Sequence, residues 1–104
     1  MKTSIVATLA ALAIVSATTV TPAAAASCVD KGGRGTGSTT EDARFQAWEA
    51  VLQATDWGMW AAWMASGAKV KTAASGYKVS NIRERCHNGG SMGKECIIHA
   101  KLCH

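Results

Sequence analysis

The sequence predicts an α+β domain: an N-terminal helical layer, one kinked or two helices, packed on a C-terminal antiparallel β-hairpin and stapled by disulfides. Three observations predict it. Apolar residues recur at helical spacing between Ser38 and Ser66. From Tyr77 onward the pattern switches to strict alternation, the period of a strand with one buried face. Cys28, Cys86, Cys96 and Cys103 make an even count in a short chain, which reads as a disulfide framework.

The chain starts with features of an export signal. Lys2 supplies a positive n-region, and Ile5 to Val15 form an apolar run of eleven residues. That is short of the ~20 residues a membrane-crossing helix requires. Ala24 and Ala26 satisfy the small-x-small preference of signal peptidase, so cleavage is expected between Ala26 and Ser27. A lipoprotein signal would also place a cysteine, here Cys28, after small residues. Ala25 instead of leucine, a distant apolar run and the even cysteine count argue against it. The expected layout is a signal peptide over 1–26, a flexible Gly-rich lead-in over 27–40 and a single small α+β domain over 41–104. The destination is the periplasm or the exterior of a bacterium.

The lead-in holds Asp30 to Thr40 (DKGGRGTGSTT), a Gly/Ser/Thr-rich run that reads as a loop. It carries no nucleotide motif, because no strand precedes it and no Lys-Ser/Thr pair follows. Ser38 with Glu41, or Thr40 itself, can cap the first helix, and Asp42 suits its positive end. Phe45, Trp48, Leu52, Thr55 and Met59 share one face. Asp56-Trp57-Gly58 interrupts the run: Asp56 is a good N-cap, and Gly58 weakens a helix by about 1 kcal/mol. Helices are therefore expected at roughly 40–54 and 57–66, with Gly67 as terminator. Trp48 and Trp60 are expected in the core, and Trp57 or Trp63 at a partly exposed binding surface.

Gly67 to Gly76 reads as a linker. Tyr77 and Val79 alternate with Lys78 and Ser80, and Ile82, Glu84 and Cys86 continue on the other parity. The switch near Ser80-Asn81 predicts a bulge. His87 to Glu95 is glycine-rich and reads as a loop, after which Cys96 to Cys103 alternate as a second strand. Cys86 closes one strand and Cys96 opens the next, so they can face each other across the hairpin. This favours Cys86–Cys96 with Cys28–Cys103, against the rival Cys28–Cys96 with Cys86–Cys103.

Removing Lys2 from the eleven Lys and Arg leaves a net charge of +3 against seven Asp and Glu. The surplus lies in the C-terminal half, which favours anionic partners. Lys78, Arg83, Arg85, Lys94 and Lys101, with Trp57 or Trp63 nearby, are the expected ligand-binding residues. The partners expected are an anionic glycan, a lipid headgroup or a protein, with no nucleic acid. Cys86-His87, Cys96-x2-His99 and Cys103-His104 contain zinc-type ligands. Oxidation and strand alternation, which turns Cys96 and His99 to opposite faces, argue against a metal. No catalytic motif is present, so the reading is non-catalytic, with no catalytic residue, cofactor or metal.

Ala43, Ala47-Trp48-Glu49, Val51, Trp57-Gly58, Trp60, Trp63 and Ala65, followed by Cys86, Cys96, Ala100 and Cys103, form a pattern over about residues 40–103. In it the chain resembles small exported alphaproteobacterial proteins of uncharacterised function. The resemblance implies export and a compact fold, and it brings no activity, ligand or catalytic residue; Cys28 is a departure from it. Two functions follow as expectations. The first is a non-catalytic binding or envelope-associated module for an anionic ligand. The second is a small inhibitor or effector acting through the 87–95 loop.

Overall fold

The computed structural model describes residues 27–104, and the expected signal peptide and its cleavage site lie outside the described residues. The order of elements is β1 (Cys28–Gly37), α1 (Thr40–Thr55), α2 (Trp57–Ala65), β2 (Lys78–Asn88) and β3 (Lys94–Cys103). The three strands form one antiparallel sheet in the order β1-β3-β2, with the helices on one of its faces. The fold is α+β, as the sequence predicts, with one strand more than the hairpin.

That extra strand corrects the expected flexible lead-in over 27–40. Residues 28–37 pair with β3 along their whole length, from Cys28 opposite Cys103 to Gly37 opposite Lys94. Strand alternation turns Gly33, Gly35 and Gly37 toward α1. A Cβ on Gly35 would lie 2.2 Å from the Ala47 nitrogen, and one on Gly33 would lie 2.3 Å from the Ala47 oxygen. The glycines let helix backbone approach strand backbone, and the buried Ala43 and Ala47 supply the complementary small surface. The composition that resembles a loop is here a close-packed strand.

Helix α1 starts at Thr39, whose hydroxyl accepts from the Asp42 amide at 3.1 Å, one residue away from either expected cap. Asp56 ends α1 and begins α2. Its own amide donates to the Leu52 carbonyl, and its Oδ1 accepts from the Gly58 and Met59 amides at 2.8 and 3.1 Å. One residue therefore satisfies orphan groups of two helices, which produces the break expected at this position. Helix α2 ends in a Schellman arrangement: the Ala68 amide donates to the Trp63 carbonyl, and Gly67 takes a positive φ of 113°.

The core lies between the helices and the sheet face carrying Cys96, Ile98, Ala100 and Leu102, with Trp48, Val51, Leu52, Met59 and Trp63 from the helices. Full burial of each large side chain contributes about 1.5–3 kcal/mol relative to exposure. Both buried indoles place their N–H groups on the segment read as a linker. Trp48 donates to the Thr72 carbonyl and Trp63 to the Lys69 carbonyl, each at 2.8 Å. Buried indole N–H groups need such acceptors, and here they tie residues 67–76 down over the helices. Trp60, expected in the core, is half-buried; it donates to Glu49 at 3.1 Å and meets Trp57 edge-on.

The bulge lies where alternation switches: Ser80 faces Lys101 and Arg83 faces His99, so two residues of β2 oppose one of β3, and Asn81 takes a φ of 58°. Both strands extend beyond the expected loop bounds and leave only residues 89–93 to connect them. The disulfides are Cys28–Cys103 and Cys86–Cys96, the favoured pairing. Among the described residues no helix is long and apolar enough to cross a membrane.

Candidate functional site

None of the described helices covers the second face of the sheet. Alternation and register place five rows on it, read from β1 across β3 to β2: Cys28–Cys103–Lys78, Asp30–Lys101–Ser80, Gly32–His99–Arg83, Arg34–Ile97–Arg85 and Thr36–Glu95–His87. Four of the five expected cationic ligands, Lys78, Arg83, Arg85 and Lys101, meet here. The fifth does not. Lys94 occupies the helix-side parity between Gly37 and Asn88, and its ammonium donates to Asn88 Oδ1.

The pleat segregates charge that looks balanced in the sequence. In Arg83-Glu84-Arg85 the two guanidinium side chains belong to the open face, and Glu84 is turned to the helix side. There it is neutralised by Arg44 of α1 and by the Lys71 ammonium at 2.7 Å. Partial burial alone would raise the Glu84 carboxyl; the hydrogen bonds from Arg44 and Lys71 outweigh it and hold the group below the ordinary carboxylate value. No acidic residue of β2 reaches the open face. The two carboxylates on that face are Asp30 of β1 and Glu95 of β3. Glu95 lies 3.4 Å from the Arg34 guanidinium and 3.0 Å from His87 Nε2. Arg83 and Arg85 have no carboxylate partner among the described residues.

Two adjoining hollows follow these side chains. Arg83, Glu84, Arg85, Ile97 and His99 line one, with the Glu84 carboxylate held by Arg44 and Lys71, and Gly32, Arg34, Arg85, Ile97 and His99 line the other. Half-buried Ile97 forms an apolar floor between Arg34 and Arg85. The His99 ring lies over Gly32, where a Cβ would come within 2.8 Å of it. Sequence reasoning missed Arg34, Ile97 and His99 as members of this surface. Arg34 fell in the segment read as a loop, and without β1 the face lacks its third column.

The expected aromatic contribution is corrected. Trp63 is 1% exposed and belongs to the core, so it can touch no ligand. Trp57 is 64% exposed, but it belongs to the helical layer on the other side of the sheet. The histidine and cysteine spacing does not assemble either. All four sulfurs are joined in disulfides, and Cys96 is buried on the core face while His99 lies on the open one. Glu84, Cys86 and Cys96 place ligand-type atoms within 4.8 Å of one another. Their two sulfurs are bonded together, and the carboxylate is committed to Arg44 and Lys71. Cys28 is bridged to Cys103, so its sulfur is not free for a lipid.

A second polar cluster lies at the end of the helical layer. Tyr77 donates to Asp56 Oδ2 at 3.1 Å, and its ring stacks on His104 at 4.3 Å. The Met59 amide, more than Tyr77, lowers the Asp56 carboxyl, while burial raises the Tyr77 phenol. The fold and the open face thus define a small disulfide-stapled α+β domain with one bare, cationic sheet surface. Compared with known protein families, curated proteins and solved structures, the chain matches none.

Proposed function

We propose that this chain is a small exported, non-catalytic binding module that uses the open face of its sheet to hold an anionic ligand, a glycan or a lipid headgroup. One observation carries the reading: the pleat of β2 presents Arg83 and Arg85 together without a carboxylate partner, while Glu84 is withdrawn to the other side. Unpaired guanidinium groups beside an apolar floor are the ordinary means of holding sulfate, phosphate or carboxylate. Export, with removal of the signal peptide near Ala26, is supported by the two disulfides, which persist in oxidising compartments.

The test is retention on an immobilised phosphate resin across a salt series. Retention should fall as salt rises, and Arg83→Gln with Arg85→Gln should elute markedly earlier than the parent. Salt-insensitive retention, or an unchanged elution position for the double variant, would sink the proposal.

The inhibitor reading through the 87–95 loop retains one observation in its favour. Met92 is 59% exposed at the tip of residues 89–93, above a base closed by Cys86–Cys96 and by the Gly89 amide donating to Gly93. Under that reading, Met92→Ser would remove binding to a protein target while leaving retention on phosphate unchanged.

A further inference from the structure

The open face holds more than one anion site's worth of cation, and it holds it in a line. Lys78, Arg83 and Arg85 share the open side of β2 and span about 20 Å at ~3.3 Å per residue. Lys101 lies beside Ser80 on β3, and Arg34 lies beyond Ile97 on β1, about 9.6 Å from β2 across two strand spacings. One phosphate or sulfate occupies a single arginine fork and leaves the other β2 arginine and Lys78 without a counter-charge, while Arg34 already faces Glu95. Asp30 and Glu95, the carboxylates of this face, sit on β1 and β3, and the open side of β2 itself carries none.

The apolar residues separate a polymer from a membrane as the occupant. Proteins that dock on anionic bilayers set basic and apolar groups on the same side, so that one neutralises headgroups while the other enters the acyl boundary. Here the exposed Trp57 and Met64 lie on α2, in the layer opposite the arginines; Val29 has the helix-side parity of β1, and Met92 lines a hollow with Phe45 and Gln46 of α1. A planar membrane cannot meet both sets together. The open face instead has Ile97 and the His99 imidazole as its floor, a surface for the C–H side of a sugar ring, with guanidinium groups at its margin.

Resting on the anion-binding reading above, we infer that the ligand is a linear anionic polysaccharide laid along β2, with charged substituents on Arg83 and Arg85 and flanking ones on Lys78, Lys101 and Arg34. Binding of dextran sulfate fractions of graded length, of glucose 6-sulfate and of phosphatidylglycerol vesicles is measured by calorimetry over a salt series. Affinity rises at least tenfold from the monosaccharide to a chain long enough to cover the row. Arg83→Gln with Arg85→Gln lowers polymer affinity at least tenfold and reduces the slope of log affinity against log salt by about 2, one released counterion per lost contact. The double lysine variant keeps most of the slope, and Trp57→Gln leaves polymer binding unchanged.

Equal affinity for glucose 6-sulfate and polymer would overturn the inference and leave the anion-binding reading standing. So would vesicle binding tighter than polymer binding, above all if Trp57→Gln abolished it, or tighter binding to duplex DNA. Absence of salt-sensitive binding to every probe would overturn both. Arg83 and Arg85 have no carboxylate partner among the described residues, so the variants keep the fold, which an unchanged circular dichroism spectrum and thermal midpoint verify.

Discussion

The strands flanking β3 attach to the molecule in opposite ways. β1 offers the helices mainly backbone: Gly33, Gly35 and Gly37 let α1 approach until an added methyl group would strike main-chain atoms. β2 offers side chains: Val79, Ile82 and Cys86 pack against the core, and Glu84 joins Arg44 and Lys71 in an ion-paired cluster. One edge is close-packed and intolerant of bulk, and the other is built of replaceable parts and carries the bulge. The loosely specified edge is the one that holds Arg83 and Arg85, so substitutions on its open side leave the tightly packed edge undisturbed.

Each strand is also tied to β3 by its own disulfide, which permits a direct test of the contrast. Replacing Cys28 and Cys103 by alanine should cost most, about 4.5 kcal/mol, since the bridge spans 75 residues; the Cys86–Cys96 pair spans 10 and should cost about 2.7 kcal/mol. Denaturant midpoints of the two variants check the order, and a reversed order would break the contrast. Next comes Gly35→Ala, expected to lose about 2 kcal/mol because its Cβ meets the backbone of α1. Gly32→Ala on the other face of the same strand meets only the His99 ring, which can swing away, and should lose under about 1 kcal/mol.

The ion-paired cluster of β2 gives a smaller, pH-dependent effect. The folded-state value of Glu84 is below its ordinary 4.5 and that of Asp56 is below its ordinary 3.8. A lowered carboxyl stabilises the fold fully above its ordinary value, and the contribution is lost as pH falls through the lowered one. Thermal melts should therefore weaken on acidification below pH 4.5, and Glu84→Gln should flatten that limb. Smallest of all, Arg83→Gln with Arg85→Gln should shift stability by no more than about 0.5 kcal/mol, because exposed residues without partners contribute little. A larger loss would show that β2 depends on its open face as well as on its core face.

Much of β2 and β3 was legible because hydrophobic alternation marks them: Cys96, Ile98, Ala100 and Leu102 read directly as a buried face, and the parity change marked the bulge. The break at Asp56 was legible from capping chemistry, and the cysteine pairing from position. β1 was not, because its core-facing residues are glycines, and alternation between Gly33, Gly35 and Gly37 has no hydrophobic signal. The period of two was present all the same, in the absence of side chains. Losing β1 hid Arg34 and, with it, the width of the cationic face. Trp63 was misplaced because Trp57, Trp60 and Trp63 are chemically alike; the phase of α2 turns Met59 and Trp63, four residues apart, to the core and leaves Trp57 exposed.

The pairing of Cys28–Gly37 with Lys94–Cys103 has a consequence for the order of events in folding. The first strand of the sheet has no hydrogen-bonding partner until the last one has been delivered. β2 and β3 can zip through a connection of five residues, a microsecond event, and α1 can form on its own local contacts. β1 must wait for a closure spanning almost the whole domain, with the larger entropy cost that separation carries. Refolding of the oxidised chain, in which Cys28 is already held beside Cys103, should therefore outpace refolding of the reduced one, and the gap should appear in the amides of residues 28–37.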